Sequence, residues 1–318
     1  QSIKAMCLLA CHYWAMHHEH PPTILAGRNA HQSFLTGAGL LGLDVQWLYG
    51  ESVLTCDVSP ETLDAALRET KAAAVYLTSP DYLGHCADLA ALAAVCHRHG
   101  ALLLVDHAHG AYRKFLTPSC HALDLGADIC CDSAHKTLPV LTGGAYLHLA
   151  KSCPTELRDL AERAMVPFAS TSPSYITLQS LDYVNVQLAA DWPSRLAGCA
   201  EQVQQLKARL SADGWTLFGV EPVKLTLCPK SFGYTGDALA RYLERQNLWV
   251  EFSDPDFVVC MFSPDTLMQA YERLYAALRA LPKKAPVTAA PPQMSKPERV
   301  MPIRDALLSR CETLPLQD

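Results

Sequence analysis

Two short segments carry the residues best suited to chemistry. The first, Leu102-Leu103-Leu104-Val105-Asp106-His107-Ala108-His109-Gly110, runs from apolar residues into an acid and two imidazoles. The second, Gly126-Ala127-Asp128-Ile129-Cys130-Cys131-Asp132-Ser133-Ala134-His135-Lys136-Thr137, ends in a Ser-x-His-Lys cluster. A short apolar run closed by polar turn residues reads as a buried strand. A carboxylate at the tip of such a strand, here Asp106, is costly unless a cation or hydrogen-bond donor meets it. A lysine that emerges among small and polar residues, here Lys136, can be held desolvated and made nucleophilic. Taken alone, Asp106 also suits a helix cap and Lys136 a surface lysine. Together at two strand ends they fit pyridoxal 5'-phosphate. The lysine forms a Schiff base with it, and the aspartate keeps the pyridine nitrogen protonated so that the ring can act as electron sink. Ser133 and His135, beside the lysine, suit the phosphate.

These residues need a frame that brings strand ends together, and the sequence supplies one. The spacing predicts helices over 3–16, 31–41 and 88–99, a further helix opening at Ser59 with its buried stripe at Leu63, Ala66 and Leu67, and strands over 23–26, 45–49, 73–77, 101–105, 128–131 and 145–149. Ser59-Pro60-Glu61 is a helix start, with a cap, a proline in the first turn and an acid. Apolar strands separated by helices predict an α/β fold with a mostly parallel sheet, whose ligands bind beyond the carboxyl ends of the strands. One or two helices are expected over 178–212, with a break at Trp192-Pro193. A smaller α/β unit follows: strands 225–227, 248–252 and 258–262, and helices 236–246 and 264–281. Prolines at 282, 286, 291, 292, 297 and 302 predict a linker, and a short helix is expected over 303–310. The expected organisation is a large cofactor-binding domain (1–180), a small α/β domain (181–281) and a proline-rich tail (282–318).

Composition narrows the function classes. The 318 residues carry a net charge of −6 and half are hydrophobic. Neither a basic stripe nor an apolar run of membrane-spanning length is present, so neither nucleic acid nor membrane is an expected partner. The 13 cysteines sit mostly in apolar runs and include no C-x-x-C pair. They read as reduced core thiols, which points to a reducing, cytoplasmic setting. The histidines His12, His17, His18 and His20 crowd Glu19 but read as a solvated helix end, so no metal site is expected. Glu251, Asp254 and Asp256 form an acidic cluster that could read a distal substrate amine, or be an ordinary solvated loop.

The order Arg28-Asn29-Ala30-His31, Asp106-x-Ala108-His109-Gly110, Gly126-Ala127-Asp128 and Ser133-x-His135-Lys136 resembles the ornithine/lysine/arginine decarboxylases of the aspartate aminotransferase fold (fold type I). Ser79-Pro80-Asp81-Tyr82-Leu83-Gly84, Thr171-Ser172-Pro173-Ser174-Tyr175 and Ser180-Leu181-Asp182 extend the resemblance over nearly the whole chain. The resemblance implies decarboxylation of a basic L-amino acid to its amine. Lys136 would bind the cofactor and return a proton, and Asp106 would pair with the pyridine nitrogen. His31 would stack on the ring with Ala108 on its other face, and His109 would line the pocket near the reacting carbon. Ser133 and His135 would contact the phosphate. The resemblance also implies a homodimer or higher oligomer, in which Thr171 and Ser172 serve the partner's cofactor.

The chain departs from the family at three positions. His107 stands where the family has Glu, Gln32 where it has Lys, and Asp81 where it has Thr. The family's phosphate loop would precede Gln1, and Glu312-Thr313-Leu314-Pro315-Leu316 resembles the start of its C-terminal subdomain. The sequence therefore reads as a fragment. Aminotransfer or retro-aldol cleavage on the same cofactor, and a non-catalytic pseudoenzyme, are the alternative readings.

Overall fold

The computed structural model describes residues 1–50, 56–291 and 296–313. Leu314-Pro315-Leu316, read above as the start of a further subdomain, lie outside the described residues, as does Pro292 of the proline-rich tail. The first sheet comprises β1 (Thr23–Gly27), β2 (Asp44–Leu48), β3 (Ala74–Thr78), β4 (Leu102–Asp106), β5 (Ile129–Asp132) and β6 (Tyr146–Leu149). Its order is β2-β1-β3-β4-β5-β6. Neighbours pair in parallel except β6, which runs antiparallel to β5. The fold is α/β with a mostly parallel central sheet, as the sequence predicts.

Helices cover both faces. α1 (Ser2–Ala15), α2 (Gln32–Leu41) and α6 (Thr155–Met165) pack against one face, and α3 (Pro60–Glu69) and α4 (Leu89–Arg98) against the other. Between β5 and β6 lies the single-turn α5 (Ala134–Thr137). β4 shows why the fold was readable. Leu102 and Leu104 join the core on the α1 side, and Leu103 and Val105 the core on the α4 side. A strand buried on both faces must be apolar at every position, not at alternate ones. The helix starts follow local chemistry. The Ser59 side chain accepts from Thr62 N at 3.1 Å, and the Asp88 side chain accepts from Ala91 N at 3.1 Å. Gly42 closes α2 with φ 65°, a left-handed conformation that glycine adopts without a Cβ penalty.

Two longer helices follow, α7 (Tyr175–Ala189) and α8 (Trp192–Ala212), which meet at the expected break. The second sheet contains β7 (Leu217–Phe218), β8 (Lys224–Leu227), β9 (Phe252–Ser253) and β10 (Val258–Met261), antiparallel throughout in the order β7-β8-β10-β9. α9 (Gly236–Glu244) and α10 (Met268–Arg279) pack with α8 around it. α11 (Ile303–Leu308) lies against α2, where Gly39 leaves room for Leu307.

Some expectations are corrected. The strand expected over 248–252 shrinks to β9, because Asn247 takes a left-handed turn (φ 55°) that delays extended pairing. The helix expected from 264 starts at Met268. Ser263 and Thr266 instead close a turn, with Ser263 N donating to Thr266 Oγ1 at 3.0 Å. The sequence reading missed α6, whose apolar stripe is thin, with only Leu157 and Ala164 buried. The expected linker has no helix or strand among its described residues, yet it is fastened to the second unit. Lys284 N donates to Phe232 O at 3.1 Å and Val287 N to Lys230 O at 2.9 Å.

Candidate active site

Parallel register brings the carboxyl ends of β3, β4 and β5 side by side, since Thr78 pairs with Asp106 and Asp106 with Cys131. Alternation along a strand then decides which side chains face a common cavity. Asp106 lies on the face of Leu102 and Leu104, and Tyr76 on the same face two residues before the end of β3. Tyr76 Oη donates to Asp106 Oδ2 at 2.9 Å, and Ala108 N donates to Oδ1 at 3.2 Å. The carboxylate is 2% exposed, and no salt bridge reaches it among the described residues. Burial, with the Asp106 charge adding to it, pushes the Tyr76 hydroxyl well above its ordinary range, so Tyr76 stays a donor.

Lys136 projects from α5 into the same space. Its Nζ lies 3.0 Å from His109 Nε2, on the turn after β4. Burial first, then the charges of Lys224 and Lys136, lower the His109 pKa to about 2. The imidazole is therefore neutral and accepts from the lysine at Nε2. That places its own proton on Nδ1, a buried atom without a partner among the described residues. The ring of Tyr82 stands edge-on to His109 at 5.0 Å.

A cavity of about 340 Å³ joins these groups. Its wall includes Lys136, Asp106, Ala108, His109, His31 and Ser133, six of the residues that the sequence singled out. His31 caps α2 as well, accepting from Ser33 N at its Nδ1 (3.1 Å). His135 is not in the wall; its Nδ1 pairs with Gly144 O at 2.9 Å. Thr171 and Ser172 are exposed and line no part of this cavity. The amino end of α1, Gln1 to Ile3, closes one side.

Sequence reasoning missed several neighbours. Tyr76 read only as core, because its polar partner is 30 residues away on another strand. Asp81 and Tyr82 entered only as part of a segment that carries the resemblance, and they prove to line the cavity. Asp81 is 6% exposed, and burial raises its pKa. Its Oδ1 accepts from His85 N at 2.8 Å. The acidic cluster of the second unit is not one unit. Asp256 pairs with Lys230 at 2.6 Å, Asp254 caps its own turn, and only Glu251 reaches toward the cavity, accepting from Tyr82 Oη at 3.0 Å.

The residues present fit pyridoxal phosphate. A buried carboxylate without a cation among the described residues and an amine four residues beyond an adjacent strand end line one cavity, together with Thr78 and His109, whose Oγ1 and Nδ1 have no partner among the described residues. A protonated ring nitrogen answers the first, and a carbonyl carbon the second.

Residues 15–226 match the sequence profile of the family described as Orn/Lys/Arg decarboxylase, major domain. The uncharacterized protein YaaO of Bacillus subtilis strain 168 is 33% identical over 253 residues, covering 74% of this chain and 52% of its own length. An arginine decarboxylase of the same organism is 28% identical over 320 aligned residues, covering 93% of this chain and 65% of its own. The chain thus spans between half and two-thirds of the length of these curated relatives. Among solved structures, the lysine decarboxylase LdcF of Francisella novicida superposes with a TM-score of 0.67 at 19% identity, covering 87% of this chain and 47% of that one. An alanine–glyoxylate aminotransferase of Nostoc sp. gives 0.66 at 20% identity, covering 87% and 78%. At such identities the likeness is one of fold, and the fold is that of the type I pyridoxal-phosphate enzymes.

Proposed function

The chain is a member of the Orn/Lys/Arg decarboxylase family, and on that footing we propose that it belongs to a pyridoxal-phosphate enzyme that decarboxylates a basic L-amino acid. The observation that carries this reading is the meeting of Asp106 and Lys136 in one cavity wall, with His109 between the lysine and Tyr82. When bound, pyridoxal phosphate supplies an electron sink for the pair released as carbon dioxide leaves.

The chain's own residues then have separable tasks. Asp106, held by Tyr76 and the Ala108 amide, keeps a proton on the ring nitrogen by charge. Lys136 would hold the cofactor through its amine and, fixed beside His109, would return the proton. His109 fixes Nζ without competing for charge, since its own basicity is suppressed. His31 and Ala108, both in the cavity wall, would hold the ring between them. Ser133 would serve the phosphate from the cavity wall, while His135 lies outside that wall with its ring on Gly144 O. On the far side, Asp81 supplies a buried carboxylate suited to a distal ammonium or guanidinium, and Glu251 supports it through Tyr82.

The same reading places the protein in the cytoplasm as a homodimer or larger assembly. α7 leaves Tyr175, Ile176, Tyr183 and Val186 exposed just beyond Thr171 and Ser172, an apolar surface suited to a second copy that those two residues would serve. Among the described residues no helix is long and apolar enough to cross a membrane.

The test is an absorbance spectrum with pyridoxal phosphate, beside Lys136→Ala, followed by borohydride trapping and assay of carbon dioxide release from lysine, arginine and ornithine. A visible band lost in the variant, and carbon dioxide from one of the three, is expected. Keto-acid formation in place of carbon dioxide would reassign the reaction to aminotransfer. Absence of any band in the full-length gene product would refute the cofactor.

A further inference from the structure

Behind the cavity, on the opposite face of the sheet, three imidazoles converge on one carboxylate. Alternation puts them there. Cys130 and Asp132 share a face of β5, and the antiparallel register sets His148 of β6 directly across from Cys130. His107, one residue past β4, points to the same side as Leu103 and Val105. His121 enters from the turn that precedes Ala122. His107 Nδ1 lies 2.7 Å from Asp132 Oδ1. His121 Nε2 and His148 Nε2 lie 3.0 and 3.1 Å from Oδ2. His107, His121 and Asp132 are each at least 96% buried.

We infer that His107, His121 and Asp132 form a binding site for a divalent transition metal ion of the zinc class, with His148 at the fourth position. One ligand atom from each of the first three lies within 4.8 Å of the other two. A tetrahedral ion at bond lengths of about 2.0–2.1 Å sets its ligands roughly 3.3 Å apart. The two histidine–carboxylate separations, 2.7 and 3.0 Å, would each widen by about 0.3–0.6 Å to admit the ion. Two imidazoles and a carboxylate, with a third imidazole beside them, suit zinc, cobalt and nickel rather than calcium or magnesium. Access exists as well. A second cavity of about 780 Å³ is lined by His121, Asp132 and His148, and the His148 side chain is 36% exposed. Binding moves the His121 ring proton from Nε2 to Nδ1, at the expense of the long 3.3 Å contact that Leu123 N now makes to Nδ1.

The ion would be structural. It would tie the ends of β4 and β5, the turn at His121 and β6 into one knot, one residue before Ser133 and four before Lys136. It would also neutralise Asp132, which lines the catalytic cavity as well as the second one. This inference does not depend on the decarboxylase reading, because its test needs neither cofactor nor substrate.

The test is a titration of the chelator-stripped, cofactor-free protein with Co²⁺, read by the visible bands of four-coordinate cobalt and then by their loss on adding Zn²⁺. One equivalent of cobalt is expected. His107→Ala and His121→Ala should each abolish the bands. A His18→Ala/His20→Ala double variant, altering the other histidine cluster, should leave them intact. Should the buried substitutions prevent folding, the half-exposed His148→Ala decides, with affinity expected to fall by at least about tenfold. No stoichiometric binding, bands that survive His121→Ala, bands lost in the His18/His20 variant, or an affinity unchanged in His148→Ala would each overturn the assignment.

Discussion

Tyr76→Phe isolates the support of the proposed cofactor-pairing acid. The substitution removes one hydroxyl and leaves the ring, which stacks on Phe34 with centroids 4.1 Å apart. What is lost is the 2.9 Å donor to Asp106 Oδ2, in a site where both residues are at most 2% exposed. The remaining partners are the Ala108 amide at 3.2 Å and the weak Cys131 thiol at 3.8 Å, both on Oδ1. Oδ2 is then left without its donor. A hydrogen bond to a buried charge contributes about 1.5–3 kcal/mol, and a neutral pair only about 0.5–1.5 kcal/mol. Equilibrium urea unfolding of the cofactor-free protein should therefore show Tyr76→Phe destabilised by about 1.5–3 kcal/mol. The same change made in an Asp106→Asn background should cost less, with a coupling of about 1–2 kcal/mol between the sites. Equal costs in both backgrounds would show that Tyr76 acts through packing alone and would refute the argument.

Three further outcomes follow from the same geometry. Asp81→Asn keeps the acceptor for His85 N but removes the charge, so the KM for a basic substrate should rise by about 10–100-fold, the equivalent of one charge-assisted bond, with kcat changed less; an unchanged KM places the distal acid elsewhere. Burial holds the His109 pKa near 2, below its unfolded value of about 6.5, so the unfolded chain binds the extra proton first as pH falls. Stability should be full above about pH 6.5 and decline below it, and His109→Gln should remove about 1–2 kcal/mol of the loss between pH 6.5 and 5, measured by chemical denaturation at each pH. Gly219 has φ 74°, and a Cβ there would sit 2.7 Å from Leu83 O; Gly219→Ala should cost at least about 1–3 kcal/mol in thermal unfolding, and an unaltered midpoint would mean the contact is absent.

Much of this site was legible because strand ends are punctuated. The apolar run into Asp106 and the small-residue stretch into Lys136 each mark where a buried strand meets a cavity. Parallel topology then makes distant ends neighbours. What was not legible depends on pairing between strands. Tyr76 looks like any core aromatic until register sets its hydroxyl beside Asp106. His107 was visible only as a replacement for Glu, while its partners His121, Asp132 and His148 are spread over three elements without ligand-like spacing. His31 shows the converse. Its capping geometry and its place in the cavity wall are both present in one side chain, and the cap goes unseen in a reading that gives His31 a single role. In the second unit, edge strands too short to carry a periodic signal blurred the boundaries, as the span from Leu248 to Ser253 shows.

The turn that carries Asp81 and Tyr82 is fastened to the second sheet by its backbone. Thr226 Oγ1 donates to Leu83 O at 2.7 Å, Val220 N to Gly84 O at 2.9 Å, and Lys224 Nζ to Asp81 O at 3.1 Å. The wall proposed to read the substrate thus has two parents: its side chains belong to the first sheet, and its position is dictated by the second. If that wall reads the substrate as proposed, changes such as Thr226→Val, at a residue outside the cavity wall, should alter substrate preference. A laboratory selection for a new amino-acid substrate should then return hits in β8 as well as in the wall itself.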